Sequence, residues 1–343
     1  MSKWAHYATP DEEFWKSLAT ANPIRSFSIE SLEQLTKGQS VANDYARKLV
    51  QDAGPPSGIR IEENRITVTS PPGEIECRIY TPEFTTTSEA FPVYVYFHGG
   101  GFCLGSLDSD DLKCREICFK HRIVVVNVNY RHAPQFTWPT APDDAYEATK
   151  WVAENATKIR VDLEAGFIVG GASAGANLTC QVTQRARNDE VLKNKITGQI
   201  LQVPSVLTHG QDFVENLKDK FPSFDQNSND PSIPPALRRA FAEAYKPPSL
   251  SNKTASPLLA ESFVGLPPAF VQIAGADPLR DEGLTYEEKL RDAKVPTKLE
   301  VYSGVPHGFV YYFPDIAISR RWRSDLDGGL RWLISLKSIP KEK

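Results

Sequence analysis

Short apolar, β-branched runs alternate with helical stretches from residue 93 onward, and this alternation limits the folds open to the chain. The apolar runs occupy 93–97, 123–130, 167–170, 197–203, 269–274 and 297–302. Stretches with helical spacing lie at 110–120, 141–155, 174–188, 283–293 and 319–336. A strand, a helix and a second strand in this order form a βαβ unit, whose two strands run parallel.

Two upstream segments add a different kind of pairing. Residues 59–69 and 75–80 alternate apolar and polar side chains around a Ser-Pro-Pro-Gly turn at 70–73, which predicts an antiparallel hairpin. Together with the later runs, these segments predict an α/β fold. Its core would be an eight-stranded, mostly parallel sheet flanked by helices.

Two stretches of sequence fall outside the predicted sheet. Residues 1–50 have amphipathic helical spacing that ends at Gly-Pro-Pro (54–56), and a long Pro-interrupted segment with a helical piece at 235–245 precedes the run at 269–274. We therefore expect residues 1–343 to form a single α/β domain. A helical cap, formed by about 1–55 and 205–255, would cover the carboxyl edge of the sheet.

Charge and composition exclude several classes of protein. Among 343 residues, 39 Lys+Arg balance 43 Asp+Glu to a net charge of −4, so no basic surface for nucleic acid is expected. The most apolar stretch, 123–128, is far shorter than the roughly 20 residues of a membrane span. The N-terminus lacks the basic and apolar regions of a secretory signal.

The five cysteines are odd in number and lack paired spacing, which favours reduced thiols over a disulfide framework or a metal site. We therefore expect a cytoplasmic protein without a metal, and with no nucleic acid or membrane span among its partners. The sequence leaves the oligomeric state open, a homodimer included.

A nucleophile motif lies between one predicted strand and the helix that follows it. Residues 171–175 read Gly-Ala-Ser-Ala-Gly, which matches G-x-S-x-G and places Ser173 at a sharp strand-to-helix turn. Gly171 and Gly175 would be small because neighbouring backbone crowds them. The alternatives are a plain βα turn or a phosphate-binding loop, but no Lys follows in Walker-A spacing.

A serine at neutral pH needs a base, which is most often histidine. In open α/β sheets the reacting groups gather at the carboxyl ends of the strands, and for this type of turn the chain order is Ser, acid, His. His307 fits, because it follows the last predicted strand in a turn-rich Ser-Gly-Val-Pro-His-Gly-Phe segment, although a structural histidine remains the alternative. The other five do not fit: His6, His98, His121, His132 and His209.

The acid should lie between Ser173 and His307 and follow a strand. Asp277 comes shortly after the run at 269–274 and would accept a hydrogen bond from the second imidazole nitrogen of His307. Asp281 and Glu282 compete for this role. Because they begin the next predicted helix, a favourable interaction with the helix dipole already explains them, and Asp277 is favoured.

A glycine-rich segment, His-Gly-Gly-Gly at 98–101, follows the predicted strand at 93–97. Successive glycines let backbone N–H groups approach a ligand without obstruction by side chains. Beside a nucleophile, such groups can hold a developing oxyanion. We expect the donors to be the N–H groups of Gly100, Gly101 and Ala174, with His98 and Gly99 as part of the motif. A flexible loop is the alternative, which the flanking apolar residues disfavour.

These motifs together resemble the hormone-sensitive-lipase-like esterases of the α/β-hydrolase fold. The resemblance covers about residues 75–335 and rests on HGGG at 98–101, GASAG at 171–175, DPLRDE at 277–282 and HGF at 307–309, with further matches in YRHAP at 130–134 and YEEKLR at 286–291. The chain departs from the family pattern at Ala172, where Asp or Thr is usual, and at Gln135, where Glu is usual.

The resemblance implies a function. It predicts a serine carboxylesterase for short- to medium-chain acyl esters, without a cofactor, in which Ser173, Asp277 and His307 form the triad and the glycine motif supplies the oxyanion hole. The N-terminal helices would form part of a cap over the acyl pocket. The near-neutral charge of the chain is compatible with uncharged ester substrates.

Two other functions remain open from the sequence. The same triad could transfer an acyl group, close a lactone or assist a tailoring step on a polyketide-like natural product. A catalytically silent small-molecule receptor is the third reading, which a complete His307 motif disfavours. An apolar substrate pocket is suggested by five aromatic residues, although aromatic residues near a cap are as often ordinary core: Phe14, Trp15, Phe27, Phe102 and Phe309.

Overall fold

The computed structural model describes residues 2–21, 32–84, 86, 89–208, 217 and 219–336. Its centre is an eight-stranded sheet in the order β1-β2-β4-β3-β5-β6-β7-β8. The strands are β1 (Ile59–Thr69), β2 (Pro72–Pro82), β3 (Val93–Phe97), β4 (Val124–Asn129), β5 (Phe167–Ala172), β6 (Gly198–Gln202), β7 (Ala269–Ala274) and β8 (Thr297–Tyr302). β1 and β2 pair antiparallel, as do β2 and β4, while the strands from β4 to β8 run parallel. The predicted fold class is confirmed.

Helices cover both faces of the sheet and extend along its carboxyl edge. In chain order they are α1 (Glu12–Thr20), α2 (Leu32–Ala53), α3 (Asp111–His121), α4 (Thr140–Glu154), α5 (Ala174–Ala186), α6 (Ser223–Gln226), α7 (Pro235–Tyr245), α8 (Arg280–Asp292), α9 (Phe309–Tyr312) and α10 (Ala317–Ser335). Within the described residues, 3₁₀ turns lie at Ala5–Ala8 and Pro257–Leu259. No described helix combines the length and apolar character that crossing a membrane requires.

The central strands are buried on both faces because alternate side chains enter different clusters. In β3, Val95 belongs to a cluster that includes residues of α4 and α5, whereas Tyr94 belongs to one that includes residues of α3 and α10. Each fully buried aliphatic side chain of this kind contributes about 1.5–3 kcal/mol relative to an exposed one. This double burial explains the continuous apolar runs in the sequence.

The N-terminal segment packs against the loop that follows β8. The backbone N–H of Gly304 donates to the Tyr7 carbonyl at 2.7 Å, and the Trp15 indole N–H donates to the Gly304 carbonyl at 2.7 Å. Gly304 has a φ of +74°, and a Cβ on it would lie 2.1 Å from the Thr9 carbonyl oxygen. The start of the chain therefore helps to hold the loop that carries His307.

Candidate active site

Ser173 lies at a strained turn between β5 and α5. Its φ of +56° and ψ of −116° are unusual for a residue with a side chain. The flanking glycines leave no room for a Cβ: one on Gly171 would lie 2.4 Å, and one on Gly175 2.1 Å, from the Phe97 carbonyl oxygen. The motif is therefore dictated by the close approach of the β3 backbone to this turn.

The structure brings Ser173, Asp277 and His307 together. The Nε2 atom of His307 lies 2.9 Å from the Ser173 Oγ, and its Nδ1 atom lies 2.7 Å from Oδ2 of Asp277. The other oxygen of Asp277 accepts a hydrogen bond from the Leu279 N–H at 2.8 Å. Because the three residues follow β5, β7 and β8, the parallel order of these strands places them at one edge of the sheet.

The two competing acids have other partners. Asp281 is fully buried, pairs with the Arg280 guanidinium at 2.8 Å and accepts a hydrogen bond from the Ser223 N–H. Glu282 accepts a hydrogen bond from the Val206 N–H at 2.7 Å. Both belong to the first turn of α8. Their contacts tie the segment after β6 to this helix, whereas Asp277 alone among the three contacts His307.

The glycine loop lies beside the nucleophile. A Cβ on Gly99 would be 3.6 Å from the Cβ of Ser173, while Gly100 and Gly101 have φ angles of +123° and +61° that favour glycine. Within the described parts of the chain, no group accepts a hydrogen bond from the N–H of Gly100, Gly101 or Ala174. Gly101 and Ala174 also line the cavity at Ser173.

His98 is a buried, neutral residue that packs at the start of this loop. It is fully buried, its ring stacks on Tyr130 at a centroid distance of 4.5 Å, and its Nδ1 atom lies 2.8 Å from the Gly99 carbonyl oxygen. Burial lowers the pKa of His98, which keeps the imidazole neutral at physiological pH.

A cavity of about 90 Å³ opens onto Ser173. Gly101, Phe102 and Phe241 contribute to its walls. Of the aromatic residues that the sequence suggests for a substrate pocket, Phe102 lies in the cavity wall. Phe14, Trp15 and Phe309 instead pack in or against a core cluster beside β7 and β8 and are absent from the described cavity walls. An aromatic side chain stabilises a core as well as it lines a pocket, so its position along the chain does not separate the two. Phe27 and His209 lie outside the described residues.

The sequence profile of a protein family with the α/β-hydrolase fold matches residues 94–311. This range includes Ser173, Asp277 and His307. The chain belongs to the α/β-hydrolase family. It is 36% identical to Esterase LipI of Mycobacterium tuberculosis over 72% of this chain and 74% of that protein. This confirms the family membership that the motifs predicted.

Two solved structures of related chains resemble this α/β-hydrolase over nearly its whole length. Vibralactone cyclase has a TM-score of 0.87 at 29% identity, covering 98% of this chain and 97% of that one. The hyperthermophilic esterase from the archaeon Pyrobaculum calidifontis has a TM-score of 0.78 at 31% identity, covering 95% and 97% of the two chains.

Asp230 is a further acid at the site of this α/β-hydrolase, and sequence analysis did not single it out. It is 3% exposed, and its Oδ2 atom accepts a hydrogen bond from the His307 backbone N–H at 2.7 Å. Its other oxygen accepts from the N–H groups of Ser232 and Ile233. The Asp-Pro-Ser sequence at 230–232 is typical of such a turn, but it carries no information about the distant contact with His307.

The charges of Asp230 and Asp277 act on the imidazole. Burial alone would lower the pKa of His307, but the Asp277 carboxylate, with a smaller contribution from Asp230, raises it above its usual value. Burial, followed by the charge of Asp277, raises the pKa of Asp230 to about 7.

The described part of this α/β-hydrolase contains no group of three or more His, Cys, Asp or Glu side chains arranged to hold a metal ion.

Proposed function

We propose that this α/β-hydrolase is a serine carboxylesterase that hydrolyses short- to medium-chain acyl esters. The observation that carries the proposal is the continuous chain of contacts from Asp277 through His307 to the Ser173 Oγ, which opens onto a cavity. The esterases among its relatives support the same class of reaction.

The reaction would pass through an acyl-enzyme. The Nε2 atom of His307 takes the hydroxyl proton while the Ser173 oxygen attacks the ester carbonyl carbon. The N–H groups of Gly100, Gly101 and Ala174 hold the negative charge that develops on the carbonyl oxygen. His307 then gives the proton to the departing alcohol. In the second half of the reaction, His307 takes a proton from water, whose oxygen attacks the acyl carbon. The bond to the Ser173 oxygen then breaks, His307 returns the proton to that oxygen, and the acid is released.

The chain segments around the cavity support the proposed cap over the site. Helix α7 contacts α2, and a Cβ on Gly101 would lie 2.4 Å from the ring of Phe241 on α7. The helix therefore rests directly on the glycine loop. The cavity volume of about 90 Å³ supports a short chain in the part of the substrate that the cavity receives.

Acyl transfer to an acceptor other than water, or lactonisation, is the second candidate. It is favoured by the close structural similarity to vibralactone cyclase. The first half of the reaction would be the same. In the second half, a hydroxyl group of an acceptor, or of the acyl chain itself, would take the place of water.

The test uses purified protein and p-nitrophenyl esters of increasing acyl length, with labelling by a fluorophosphonate probe. We expect labelling at Ser173, hydrolysis of short esters, and free acid as the main product when methanol competes with water. A predominance of transfer or lactone products would favour the second candidate. A protein that is neither labelled nor active on any ester would contradict both, as expected of a silent receptor.

The pH dependence of kcat/KM tests the role of Asp230. Because the base must be neutral, kcat/KM should rise with pH through the raised pKa of His307, at a midpoint above about 6.5. The pKa of Asp230 is itself about 7, so its carboxyl group is partly charged in this pH range and then favours the imidazolium. The substitution Asp230→Asn removes that charge, so the midpoint should move modestly to lower pH. Asp225→Asn, at an exposed site on α6, is the matched control and should leave it in place. An unmoved or raised midpoint in Asp230→Asn would contradict this role.

A further inference from the structure

Two polar side chains from one face of α7 reach the cavity that opens onto Ser173. Arg238 and Tyr245 are seven residues apart, which is two helical turns, and both contribute to the cavity walls. Between them, Phe241 lines the same cavity, and Leu207 and Ile233 add apolar surface. The helix therefore presents polar groups within mostly apolar surroundings.

Arg238 is buried without a hydrogen-bond partner for much of its guanidinium group. The residue is 8% exposed, and its Nε and Nη1 atoms have no partner among the described residues. The guanidinium lies over the ring of Phe224, 4.0 Å from its centroid, which leaves its N–H groups unsatisfied. Burial lowers the pKa of Arg238, but an arginine stays charged in proteins because its ordinary pKa exceeds 12.

The Asp230 and Asp277 carboxylates, whose charges act on Arg238, have other hydrogen-bond partners. Asp230, Asp277 and Glu282 act on Arg238 through their charge, but within the described ranges none of them forms an ion pair with it. The oxygens of Asp230 accept from backbone N–H groups, including that of His307, and those of Asp277 accept from His307 and from the Leu279 N–H. The guanidinium is thus left without an ion-pair partner among the described residues, and Arg238 forms part of the cavity wall.

A second orphaned donor lies on the same helix face. Tyr245 is 5% exposed, its ring stacks on Phe102 at 4.0 Å, and its hydroxyl group has no hydrogen-bond partner within the described chain. Unpaired buried polar groups destabilise a protein unless a ligand or water satisfies them. A charged side chain and a hydroxyl group in the wall of one cavity are a donor set suited to an anion.

We propose that Arg238 binds a carboxylate of the substrate, so that the preferred substrates are esters that carry a second, free carboxylate group. This proposal rests on the proposed esterase function and specifies the class of substrate for that activity. The ester carbonyl would lie at Ser173 and the glycine loop, a short apolar linker along Phe241, and the carboxylate at Arg238, with Tyr245 as an additional donor. Arg238 is then a specificity-determining residue, remote from the bond that breaks.

The test compares pairs of esters that differ only in the charged group. Monoethyl glutarate and ethyl 5-methylhexanoate form one pair, with the carboxylate on the acyl side. The pair 4-acetoxybutanoate and 4-methylpentyl acetate places it on the alcohol side. Hydrolysis is followed for the wild type, Arg238→Met, Arg238→Lys, and Arg239→Met, which changes the neighbouring exposed arginine as a matched control.

In the wild type, we expect the carboxylate member of at least one pair to have the higher kcat/KM. Arg238→Met should reduce the ratio of kcat/KM between charged and neutral members by about 10- to 100-fold, because one hydrogen bond to a charge is lost. The loss should fall mainly on KM, since a remote contact serves the ground state and the transition state alike. Arg238→Lys should recover part of the ratio, and Arg239→Met should leave it unchanged.

Each other outcome has a defined meaning. An equal loss on charged and neutral esters would overturn the proposal and make Arg238 a counter-charge to Asp230 and Asp277. A wild type that hydrolyses neutral esters without preferring the charged ones would overturn the substrate class alone. A wild type that hydrolyses no ester and is not labelled by the fluorophosphonate probe would overturn the esterase function as well.

A measurement on the wild type covers the case in which Arg238→Met fails to fold. Free glutarate should inhibit hydrolysis of ethyl 5-methylhexanoate at a concentration at least about 10-fold lower than pentanoate does, because only glutarate offers a second carboxylate to the guanidinium. Equal inhibition by the two acids would overturn the proposal.

Discussion

Replacing Ser173 by Ala is expected to lower kcat on a p-nitrophenyl acyl ester by roughly 10⁴–10⁶-fold. The variant lacks the oxygen that lies 2.9 Å from Nε2 of His307 and that would form the acyl-enzyme. The strained backbone at this turn is retained, since Ala and Ser have the same Cβ. The loss of kcat is measured from initial rates at a high concentration of the variant, so that its residual activity exceeds that of trace contaminating esterases. Labelling by the fluorophosphonate probe should also disappear.

The control for this prediction is Ser249→Ala, which removes another hydroxyl at an exposed position after α7. Among the described residues, its hydroxyl group hydrogen-bonds only with that of Ser251, so activity should stay at the wild-type level. Thermal unfolding of both variants separates lost chemistry from lost folding. If Ser173→Ala retained turnover or labelling while folded, the nucleophile assignment would be wrong.

Replacing Asp277 by Asn is expected to lower kcat by about 10⁴-fold. The carboxylate accepts a hydrogen bond from the Nδ1–H group of His307 at 2.7 Å, which leaves Nε2 free to take the proton of Ser173. An amide can instead donate to Nδ1, which favours the wrong tautomer, and it cannot stabilise the imidazolium. Steady-state kinetics at the pH optimum of each variant measures the effect.

Asp281→Asn is the companion variant, because the sequence offers Asp281 as an alternative acid. It breaks a fully buried pair with Arg280, so it should destabilise the fold by about 3–5 kcal/mol, measured as a shift in the denaturant midpoint. Its folded fraction should still hydrolyse esters. A large loss of kcat in Asp281→Asn, with little loss in Asp277→Asn, would reverse the assignment of the acid.

Much of the site could be predicted because its determinants are local in the sequence. Gly171 and Gly175 are required by the steric crowding of one turn, and the position of His307 after the last strand follows from the parallel order of the sheet. The choice of Asp277 over Asp281 also relied on local information, because a residue at the start of a helix has a different electrostatic environment from one in the preceding loop.

Other features could not be predicted, because they depend on contacts between distant segments. Asp230 reaches His307 across 77 positions of sequence, and nothing near residue 230 specifies that partner. Likewise, Phe14 and Phe102 are both aromatic, and the sequence does not tell them apart. In the folded chain, Phe14 is fully buried in the core against Phe313, whereas Phe102 lies in the cavity wall.

By itself, the sequence determined the α/β class, the strand-to-helix turn at Ser173 and the glycine loop, because periodicity and steric demand act over a few neighbouring residues. The tertiary structure alone decided which charges meet at the site. The net charge of −4 describes the whole chain, whereas the cavity wall includes the buried cation Arg238, on which the charges of Asp230 and Asp277 act. Electrostatic interactions act through space between segments far apart in the chain, so composition cannot report them.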